Sequence, residues 1–417
     1  MSEHEWAVAK LGDPNVATLV MGQSPPSSAY NSSGNGLPFF QGKADFGMPY
    51  PVARVWCTEP QRIAEKNDVL ISVRAPVGDV NIATSKCCLG RGLAAIRPAK
   101  KTHFAFLFFA LAQSKERLAS LSSGTTFESI NKNTLEDFEI PLPPRPEQQK
   151  IATVLWKVQK AIEIQDKLVR TTRELKAAAM RKVFTRGVRN EALKETEIGP
   201  MPNSWEPRRL ETCCHVVMSS LSYTDFSALN ESTDQDALRA MGIKVSDMNL
   251  PGNERVITHA NLEKRVPPAL AKRKLVPPQA VVFPKRGAAI ATNKKRMTSA
   301  WTVLDPNLIG VRPLQGLDAR FLFYWFQQFD LRSITEPGPT PQLNKKNLVP
   351  LVLPLPRNED EQSEIADALD VLDRKIEHHE RKRAALDDLF KSLLNKLMTG
   401  QIRVDKLDID ISEVAAC

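Results

Sequence analysis

The spacing of apolar residues predicts two long helices, one in the middle of the chain and one near its end. Between Glu147 and Gly187 there is no proline, and apolar residues recur at alternating steps of four and three. A cleaner heptad pattern of the same kind ends near Gly400. Because a rod of about 60 Å is far longer than an average globular helix, each rod must pair with another. The predicted pairing residues are Ile151, Leu155, Val158, Ile162, Leu369, Leu372, Ile376, Leu386, Phe390 and Leu393.

The segments before the two long helices have a different pattern. Short runs rich in β-branched and aliphatic residues, such as 68–73 and 280–283, alternate with Gly, Pro, Asn and Ser turns, which predicts strands. The aromatic stretches 103–113 and 319–329 are apolar nearly all round, so we expect buried helices there. These features predict compact α+β domains.

Prolines mark where each long helix can begin. Clusters at 141–146 and 350–356 hold the chain extended, because the residue before a proline is pushed out of helical space. After the second cluster Asn358 has the position of an N-cap, and Glu361 has that of the partner residue in a capping box. Gly187 and Gly400 are expected to close the helices at their other ends.

The chain is a tandem repeat of a domain followed by a long helix. The recurring residues are Trp6 and Leu11 with Trp205 and Leu210, Ile130-Asn131-Lys132 with Leu343-Asn344-Lys345, Ile140-Pro141-Leu142-Pro143 with Leu353-Pro354-Leu355-Pro356, and Glu147-Gln148 with Glu361-Gln362. The repeat covers the whole chain and therefore predicts two copies of one architecture.

Charge favours antiparallel pairing of the two helices within the chain. Residues 168–189 carry seven basic residues against one acidic residue, whereas residues 359–380 carry nine acidic residues against two basic ones. An antiparallel pair sets these halves side by side, while a parallel pair would oppose two basic halves. The alternative is that each helix pairs with another subunit.

The overall composition excludes several classes of protein. With 417 residues, 42% of them hydrophobic and 25% charged, the chain has material for several globular domains and differs from disordered or fibrous proteins. Its longest apolar run, 104–112, is about half of the ~20 residues that cross a bilayer. The N-terminal residues lack the pattern of a secretion signal, so we expect a cytoplasmic protein. The six cysteines have no zinc-finger spacing and are expected to be reduced thiols.

The sequence shows no motif for catalysis or metal binding. It has no P-loop, no dinucleotide-binding fingerprint, no H-E-x-x-H motif and no nucleophile elbow. Residues 24–27 (SPPS) lack the Asn or Asp and the aromatic residue of an amino-methyltransferase motif, and the six histidines are not spaced with other metal ligands. We therefore expect no active site, no metal and no cofactor in this chain.

Basic residues concentrate in the second copy. Residues 255–296 hold eleven basic residues against one acidic residue, although the net charge of the whole chain is only +9. A solvated surface would explain any single cluster, but in a domain without catalytic residues this density is typical of phosphate contacts to nucleic acid. In the first copy the basic residues are more dispersed. The predicted DNA-binding residues are Lys43, Arg54, Arg74, Arg91, Lys132, Lys272, Arg273, Lys274, Lys285, Arg286, Lys294, Lys295, Arg296, Lys345 and Lys346.

The complete pattern resembles the specificity subunit of type I restriction-modification systems. The family's order is a hydrophobic-Pro-Leu-Pro stretch, then Glu-Gln, then a long helix that closes near Thr-x-Gly or Thr-Gly. The segments that carry this order here are 140–151, 185–187, 353–356, 361–362 and 399–404. Residues 198–205 (IGPMPNSW) also resemble the family's lead into a second recognition domain.

This resemblance implies two tandem target-recognition domains in an α+β chain, with the two long helices paired as an antiparallel coiled coil. The expected bounds are 1–143 for the first domain, 144–190 for the first spacer helix, 191–356 for the second domain, and 357–417 for the second spacer helix and C-terminal tail. Each domain would read one half of a bipartite, asymmetric site in double-stranded DNA.

The resemblance also implies partners. The chain would dock two methyltransferase subunits and restriction/translocase subunits, and S-adenosylmethionine, ATP and Mg would belong to those partners. This chain would itself be non-catalytic. Two alternatives are a coiled-coil scaffold without a DNA function and the recognition half of a fused restriction enzyme.

Overall fold

The computed structural model of the chain describes residues 6–122, 129–335 and 341–411, and it divides into two compact units. The first unit contains residues 1–167 and 379–417, and the second contains residues 168–378. Each unit therefore combines one copy of the repeated domain with one half of each long helix. His4, Cys417 and the last part of the predicted C-terminal tail lie outside the described residues.

The first unit is built mainly from short strands. They are β1 (Ala7–Lys10), β2 (Ala17–Met21), β3 (Tyr30–Asn31), β4 (Leu37–Phe40), β5 (Trp56–Cys57), β6 (Ile63–Ala64), β7 (Val69–Ser72), β8 (Val80–Ile82), β9 (Cys87–Leu89), β10 (Leu93–Pro98) and β11 (Glu139–Leu142). Its short helices are α1 (Phe104–Gln113), α2 (Lys115–Ser120) and α3 (Lys132–Glu136). The strands form one sheet in the order β2-β10-β7-β8, a second in the order β3-β5-β4-β9-β6, and the pair β1-β11.

The first long helix, α4 (Arg145–Arg186), runs from the first unit into the second. The strands of the second unit are β12 (Leu193–Lys194), β13 (Met201–Pro202), β14 (Trp205–Arg209), β15 (Cys214–Val217), β16 (Leu238–Ile243), β17 (Val256–Ile257), β18 (Leu262–Val266), β19 (Val281–Pro284), β20 (Arg296–Thr298), β21 (Trp301–Leu304), β22 (Leu308–Pro313) and β23 (Val352–Pro356). Its short helices are α5 (Leu210–Cys213), α6 (Tyr223–Ala228), α7 (Pro268–Lys274), α8 (Ala288–Ala291), α9 (Ala319–Gln327) and α10 (Lys345–Leu348), and the second long helix is α11 (Glu359–Met398).

The sheets of the two units repeat the same connections. In the first unit β1 pairs antiparallel with β11, and in the second β14 pairs antiparallel with β23. The order β2-β10-β7-β8 recurs as β15-β22-β19-β20, with β17 added at the edge. A separate three-stranded sheet in the second unit has the order β18-β16-β21. The sequence repeat is therefore a repeat of topology.

The predicted strands and aromatic helices are present. The runs at 68–73 and 280–283 form β7 and β19, and the aromatic stretches form α1 and α9. Nearly every side chain of α1 and α9 is buried, because their aromatic and aliphatic residues pack into the two main cores.

The structure shows a role for the glutamine of the repeated Glu-Gln pair, beginning with Gln148 in the first unit. The Oε1 atom of Gln148 accepts a hydrogen bond from the backbone N–H of His103 at 2.8 Å, just before α1. Its Nε2 donates to the carbonyl oxygens of Lys101 at 2.9 Å and Pro143 at 2.8 Å. Since Gln148 is fully buried, it satisfies polar backbone groups that water cannot reach.

The same arrangement recurs in the second unit. Gln362 is fully buried, and its Oε1 accepts a hydrogen bond from the backbone N–H of Asp318 at 2.8 Å. Its Nε2 donates to the carbonyl oxygens of Gly316 at 3.0 Å and Pro356 at 3.1 Å. Each glutamine thus joins the start of a long helix to the start of a buried helix and to the end of a proline-rich strand.

The ends of the long helices agree closely with the sequence pattern. Helix α4 begins at Arg145 and accommodates Pro146, because the first turn of a helix does not need that N–H. Asn358 caps α11 by accepting the Asp360 N–H at 2.8 Å. Gly187, with a φ of +59°, and Gly400, with a φ of +72°, follow the last helical turns.

The expected capping box at the start of α11 is not formed. Glu361 is turned away from the backbone of Asn358, and its Oε1 atom accepts a hydrogen bond from the Val188 N–H at 3.3 Å. The carboxylate therefore binds the segment that follows α4.

The two long helices pair antiparallel within the chain. In the first unit Gln165 Oε1 lies 2.8 Å from His379 Nδ1, and Asp166 forms an ion pair with Arg383 at 2.7 Å. In the second unit Lys176 pairs with Asp373 at 2.7 Å. Residue numbers therefore fall along α11 as they rise along α4, which is the pattern of an antiparallel coiled coil.

The apolar residues predicted to pair the two long helices also belong to the cores of the domains. Ile151, Leu155, Ile162, Leu369 and Ile376 are buried, and Val158, Leu372, Leu386, Phe390 and Leu393 are partly buried. Ile151 and Leu155 lie in one core cluster with Phe109 of α1 and with Leu397 of α11. The heptad pattern therefore reflects contact with a domain as well as with the opposite helix.

Side chains of the second domain neutralise part of the acidic half of α11. Arg255 Nε lies 2.7 Å from Glu377 Oε1, and Arg255 Nη1 lies 2.8 Å from Asp370 Oδ1. Arg320 Nη1 lies 3.2 Å from Asp370 Oδ2, and the Tyr324 hydroxyl donates to Asp370 Oδ1 at 2.6 Å. The predicted charge match between residues 168–189 and 359–380 is also present, since Lys176 pairs with Asp373 and Arg189 pairs with Glu364, each at 2.7 Å.

Within the described part of the chain, none of the helices is both long enough and apolar enough to cross a membrane.

Candidate nucleic-acid interface

In the first unit, backbone hydrogen bonds bring together three basic residues that are far apart in sequence. The carbonyl oxygen of Gly92 accepts the Val73 N–H at 2.9 Å, and the carbonyl oxygen of Val73 accepts the Ile130 N–H at 3.0 Å. Arg91, Arg74 and Lys132 therefore lie on three neighbouring segments.

The second unit has the same connections. The carbonyl oxygen of Asn307 accepts the Lys285 N–H at 2.7 Å, and the carbonyl oxygen of Lys285 accepts the Leu343 N–H at 2.8 Å. Arg286 and Lys345 consequently occupy the positions that Arg74 and Lys132 occupy in the first unit. The match extends to two isolated antiparallel bridges, Arg74 with Ser129 and Arg286 with Gln342.

These basic side chains are open to solvent. Arg74, Arg91, Arg286 and Lys345 are exposed, and none of them has a carboxylate partner among the residues that the structure describes. Lys132 is partly neutralised by Glu136 at 3.2 Å, within the same helix. Free guanidinium and ammonium groups on adjoining segments are the kind of surface that binds phosphate.

A second basic group of the second unit lies close to this surface. Lys272, Arg273 and Lys274 form the last turn of α7. The carbonyl oxygen of Lys274 accepts the Ser220 N–H at 3.1 Å, and the preceding Ser219 hydroxyl accepts the Leu304 N–H at 3.1 Å. The turn that follows Leu304 ends at Asn307, and the carbonyl oxygen of Asn307 accepts the Lys285 N–H. This turn therefore connects the segment bonded to the end of α7 with the segment that carries Arg286.

The other predicted residues have different surroundings. Lys43 forms an ion pair with Asp79 at 3.0 Å, and Arg54 is an exposed residue beside β5. Lys285 is half-buried next to the sulfur of Met218. Lys346 is exposed in the first turn of α10.

Lys295 was wrongly predicted to be a surface contact. Its side chain is buried, and its Nζ donates hydrogen bonds to Asn293 Oδ1 at 2.8 Å and to the carbonyl oxygen of Phe329. Burial lowers the pKa of the Lys295 ammonium to about 8. The lysine therefore joins two loops and is closed to phosphate in this conformation.

The residues on either side of Lys295 are also engaged in the fold. Lys294 is half-buried and its Nζ donates to Asn249 Oδ1. Arg296 donates to the carbonyl oxygens of Lys295 at 2.9 Å and Met248 at 3.2 Å, and burial lowers the pKa of its guanidinium. Lys295 and Arg296 therefore serve the protein's own backbone, whereas Lys294 keeps part of its side chain open to solvent, and contact of Lys294 with DNA stays a prediction.

Arg255, which contributes to the basic stretch 255–296, is likewise not a surface residue. Its guanidinium binds acidic residues of α11 and lies 3.2 Å from the Tyr324 hydroxyl. Burial, together with Asp373 and Asp370, raises the pKa of that hydroxyl, so Tyr324 remains a hydrogen-bond donor. The network attaches the second domain to the paired helices.

Two sequence patterns mark residues with structural roles in the two domains, but the patterns alone do not identify the contacts that these residues make. The repeated pair Glu-Gln marks Gln148 and Gln362, yet its spacing alone does not show which backbone groups the glutamines bind. The turn Gly90-Arg91-Gly92 has a glycine on each side of an exposed arginine, a pattern that indicates close backbone packing around one displayed side chain.

Comparisons with known proteins identify the family to which the chain is similar. The model of the type I restriction modification DNA specificity domain matches residues 3–170 and 273–387, about two thirds of the chain. A putative type I restriction enzyme MjaX specificity subunit of Methanocaldococcus jannaschii is 44% identical over 186 residues, which cover 44% of this chain and 44% of that protein. The type I restriction enzyme MjaVIII specificity subunit of the same organism is 25% identical over 317 residues, covering 73% of this chain and 71% of that protein.

A solved structure supports the fold over nearly the whole chain. The crystal structure of the type I restriction-modification system S subunit from M. genitalium has a TM-score of 0.63 at 16% identity, covering 95% of this chain and 97% of that chain. The related proteins are named specificity subunits, in agreement with the expectation that this chain is non-catalytic. The predicted resemblance is thus confirmed: the chain belongs to the type I restriction-modification specificity family.

Proposed function

We propose that the chain is the DNA-recognition subunit of a type I restriction-modification complex and that each unit reads one half of a bipartite DNA site. The observation that carries the proposal is the equivalence of Arg74 and Lys132 with Arg286 and Lys345. Two copies of one fold with cations at matching positions suit two similar contacts with a DNA backbone.

The two half-sites are proposed to differ in sequence. The turn that closes with the Leu93 N–H donating to the Gly90 carbonyl at 3.0 Å corresponds to one that closes from Leu308 to Asp305 at 2.9 Å. The first turn displays an arginine, whereas the second reads Asp-Pro-Asn. Equivalent scaffolds with unlike side chains favour an asymmetric site, because base readout depends on the side chains presented.

The paired helices are proposed to set the spacing of the half-sites and to dock two methyltransferase subunits and the restriction subunits. Leu168 and Leu175 of α4, both in the second unit, are 36% and 55% exposed. At about 100° per residue these two fall on one face of the helix, and exposed apolar side chains on one face support docking of a partner helix. S-adenosylmethionine, ATP and Mg would be bound by those partners in the cytoplasm.

Mapping of methylated DNA tests this function. The chain is produced with a type I modification subunit in a host without other adenine methylation, and the genome is sequenced for methylated motifs. We expect a motif of two unlike half-sites with a fixed gap, present only when the chain is present. Methylation that is independent of the chain, or an uninterrupted motif, would contradict the proposal.

Paired substitutions test the equivalent positions. Arg74→Ala with Lys132→Ala, and separately Arg286→Ala with Lys345→Ala, should each weaken binding of the complex to DNA. If the residues contact phosphates, the slope of log affinity against log salt should become shallower by roughly one unit per residue. Lys10→Ala is a matched control, since Lys10 is exposed but already paired with Asp137 at 2.8 Å. An unchanged slope in both double variants would assign these cations to solvent.

A further inference from the structure

The first unit presents Arg91 on a turn where three chain segments are joined by backbone hydrogen bonds. The Gly22 N–H donates to the Leu93 carbonyl at 2.9 Å, and the Gln23 N–H donates to the Leu89 carbonyl at 3.0 Å. The Gly90 N–H donates to the carbonyl of Phe40, on a third segment, at 2.8 Å. Hydrogen bonds from Gly22 and Gln23 on one segment and to Phe40 on another therefore hold the turn at 90–92 in place.

Glycine is required at this junction because the backbones are in close approach. A Cβ atom on Gly22 would lie 2.2 Å from the carbonyl oxygen of Gly90, and one on Gly92 would lie 2.3 Å from the carbonyl oxygen of Gln41. Both distances are far inside van der Waals contact, and the atoms that would be met are backbone atoms. Three segments so tightly packed hold Arg91 at a defined place on the surface.

The side chains exposed around this turn belong to the residue types that commonly form hydrogen bonds with base edges. Arg91, Gln23 and Gln41 are exposed, and within the described chain none of their side chains makes a hydrogen bond or ion pair. The Asp45 carboxylate is occupied, because it accepts the Gln41 N–H at 2.7 Å. Arginine matches O6 and N7 of guanine with two donors, and glutamine matches N6 and N7 of adenine.

The corresponding turn of the second unit carries no such donor. There Pro306 stands between Asp305 and Asn307, and Asp305 Oδ1 accepts both the N–H of Asn307 at 2.9 Å and its Nδ2 at 2.7 Å. The backbone arrangement around the two turns is the same. The Lys285 N–H donates to the Asn307 carbonyl in the second unit, and the Val73 N–H donates to the Gly92 carbonyl in the first. What differs is the side chain presented, as expected of a position that determines sequence specificity.

We infer that Arg91 reads a guanine through the major groove in the half-site bound by the first domain, with Gln23 and Gln41 at the adjacent base pairs. The inference rests on the proposed function and extends it to a particular residue and base. Arg74 and Lys132, on the adjoining segments, supply phosphate contacts that orient the turn.

The test uses the full complex of the chain with its modification subunit. Motif mapping first defines the recognised sequence, and duplexes are then made with each guanine of the motif replaced in turn by 7-deazaguanine, which lacks the N7 acceptor. Affinity is measured for the wild type, Arg91→Ala and Arg91→Lys. Lys101→Ala is the charge control: it is exposed beyond the other end of β10, about 20 Å along the strand.

We expect one guanine, in one half-site, whose replacement weakens the wild-type complex by about 5- to 150-fold. Arg91→Ala should lose at least that factor on the natural duplex, because the contact to O6 is lost together with the contact to N7. The substituted duplex should weaken this variant no further, and its methylated motif should be relaxed at that position only. Arg91→Lys should keep the salt slope without restoring discrimination, because lysine lacks the planar fork.

Two results would overturn the inference while leaving the proposed function intact. Equal weakening on every duplex with an unchanged motif would make Arg91 a phosphate contact, and wild-type behaviour of Arg91→Ala would make it a solvated residue. Failure of the proposed function looks different, since the wild-type chain would then direct no methylation at all.

Discussion

Two arginines from the same basic stretch are expected to behave in opposite ways when each is replaced by alanine. Arg255 is 23% exposed at its side chain and binds Glu377 at 2.7 Å and Asp370 at 2.8 Å, whereas Arg286 is exposed without a carboxylate partner among the described residues. Arg255→Ala should therefore lower stability, and Arg286→Ala should lower affinity for DNA.

The size of the effect at Arg255 follows from its contacts. Two hydrogen bonds to charged groups contribute about 1.5 to 3 kcal/mol each, and breaking a buried ion pair costs about 3 to 5 kcal/mol. Because the network is partly open to solvent, the lower end applies, and we expect a loss of about 3 kcal/mol. For a unit of this size that corresponds to a fall in melting temperature of roughly 6 to 12 °C.

Urea unfolding followed by near-ultraviolet circular dichroism measures the loss, and duplex binding at several salt concentrations measures DNA contact. Arg286→Ala should stay within about 0.5 kcal/mol of the wild type, as is usual for exposed positions. The reasoning is refuted if Arg255→Ala unfolds like the wild type and instead flattens the salt dependence of binding, because Arg255 would then contact DNA.

Three further outcomes are expected. Gln148→Leu should lower the free energy of unfolding by about 3 kcal/mol, since two buried backbone groups and one partly buried backbone group lose their partner, while the same change at partly exposed Gln149 should cost little in urea titrations. Burial lowers the pKa of His103 to about 4, so unfolding takes up a proton between about pH 6.5 and 4. Stability should fall by roughly 1 to 3 kcal/mol as the pH falls through that window, and His103→Leu, but not His215→Leu at an exposed site, should remove this slope. Finally, four residues inserted after Lys167 and four after His378 should widen the gap between methylated half-sites by one or two base pairs.

Features encoded by local patterns were predicted well. The heptad spacing, the proline clusters and the closing glycines identified α4 and α11 to within a few residues, because helix formation and helix ends depend on neighbours along the chain. The aromatic helices were found for the same reason. Asn358 was recognised as a cap, but the carboxylate of Glu361 found a partner in Val188, far away in sequence.

Which basic residues face solvent could not be predicted from the sequence, because it depends on contacts between segments that are far apart along the chain. Lys295 and Arg286 look alike in the sequence, yet one ammonium is enclosed by the Phe329 carbonyl and Asn293, while the other charge faces solvent. Arg255 finds a partner in Asp370, 115 positions further along the chain. Arg91, Arg74 and Lys132 are dispersed along the sequence, and only the strand connections bring their segments together.

Both insertion sites lie where the two units divide the long helices, so contacts within each unit are kept. Four residues lengthen each helix by about 6 Å, close to two base-pair steps, and rotate it by roughly 40°, since one turn takes 3.6 residues. Lengthening both helices equally keeps pairs such as Asp166 with Arg383 and Lys176 with Asp373 in register. Insertion in α4 alone is the matched control, because the unchanged α11 then holds the distance and the extra residues must loop out. Methylome mapping that finds the original gap in the doubly lengthened chain would show that the paired helices do not set the spacing.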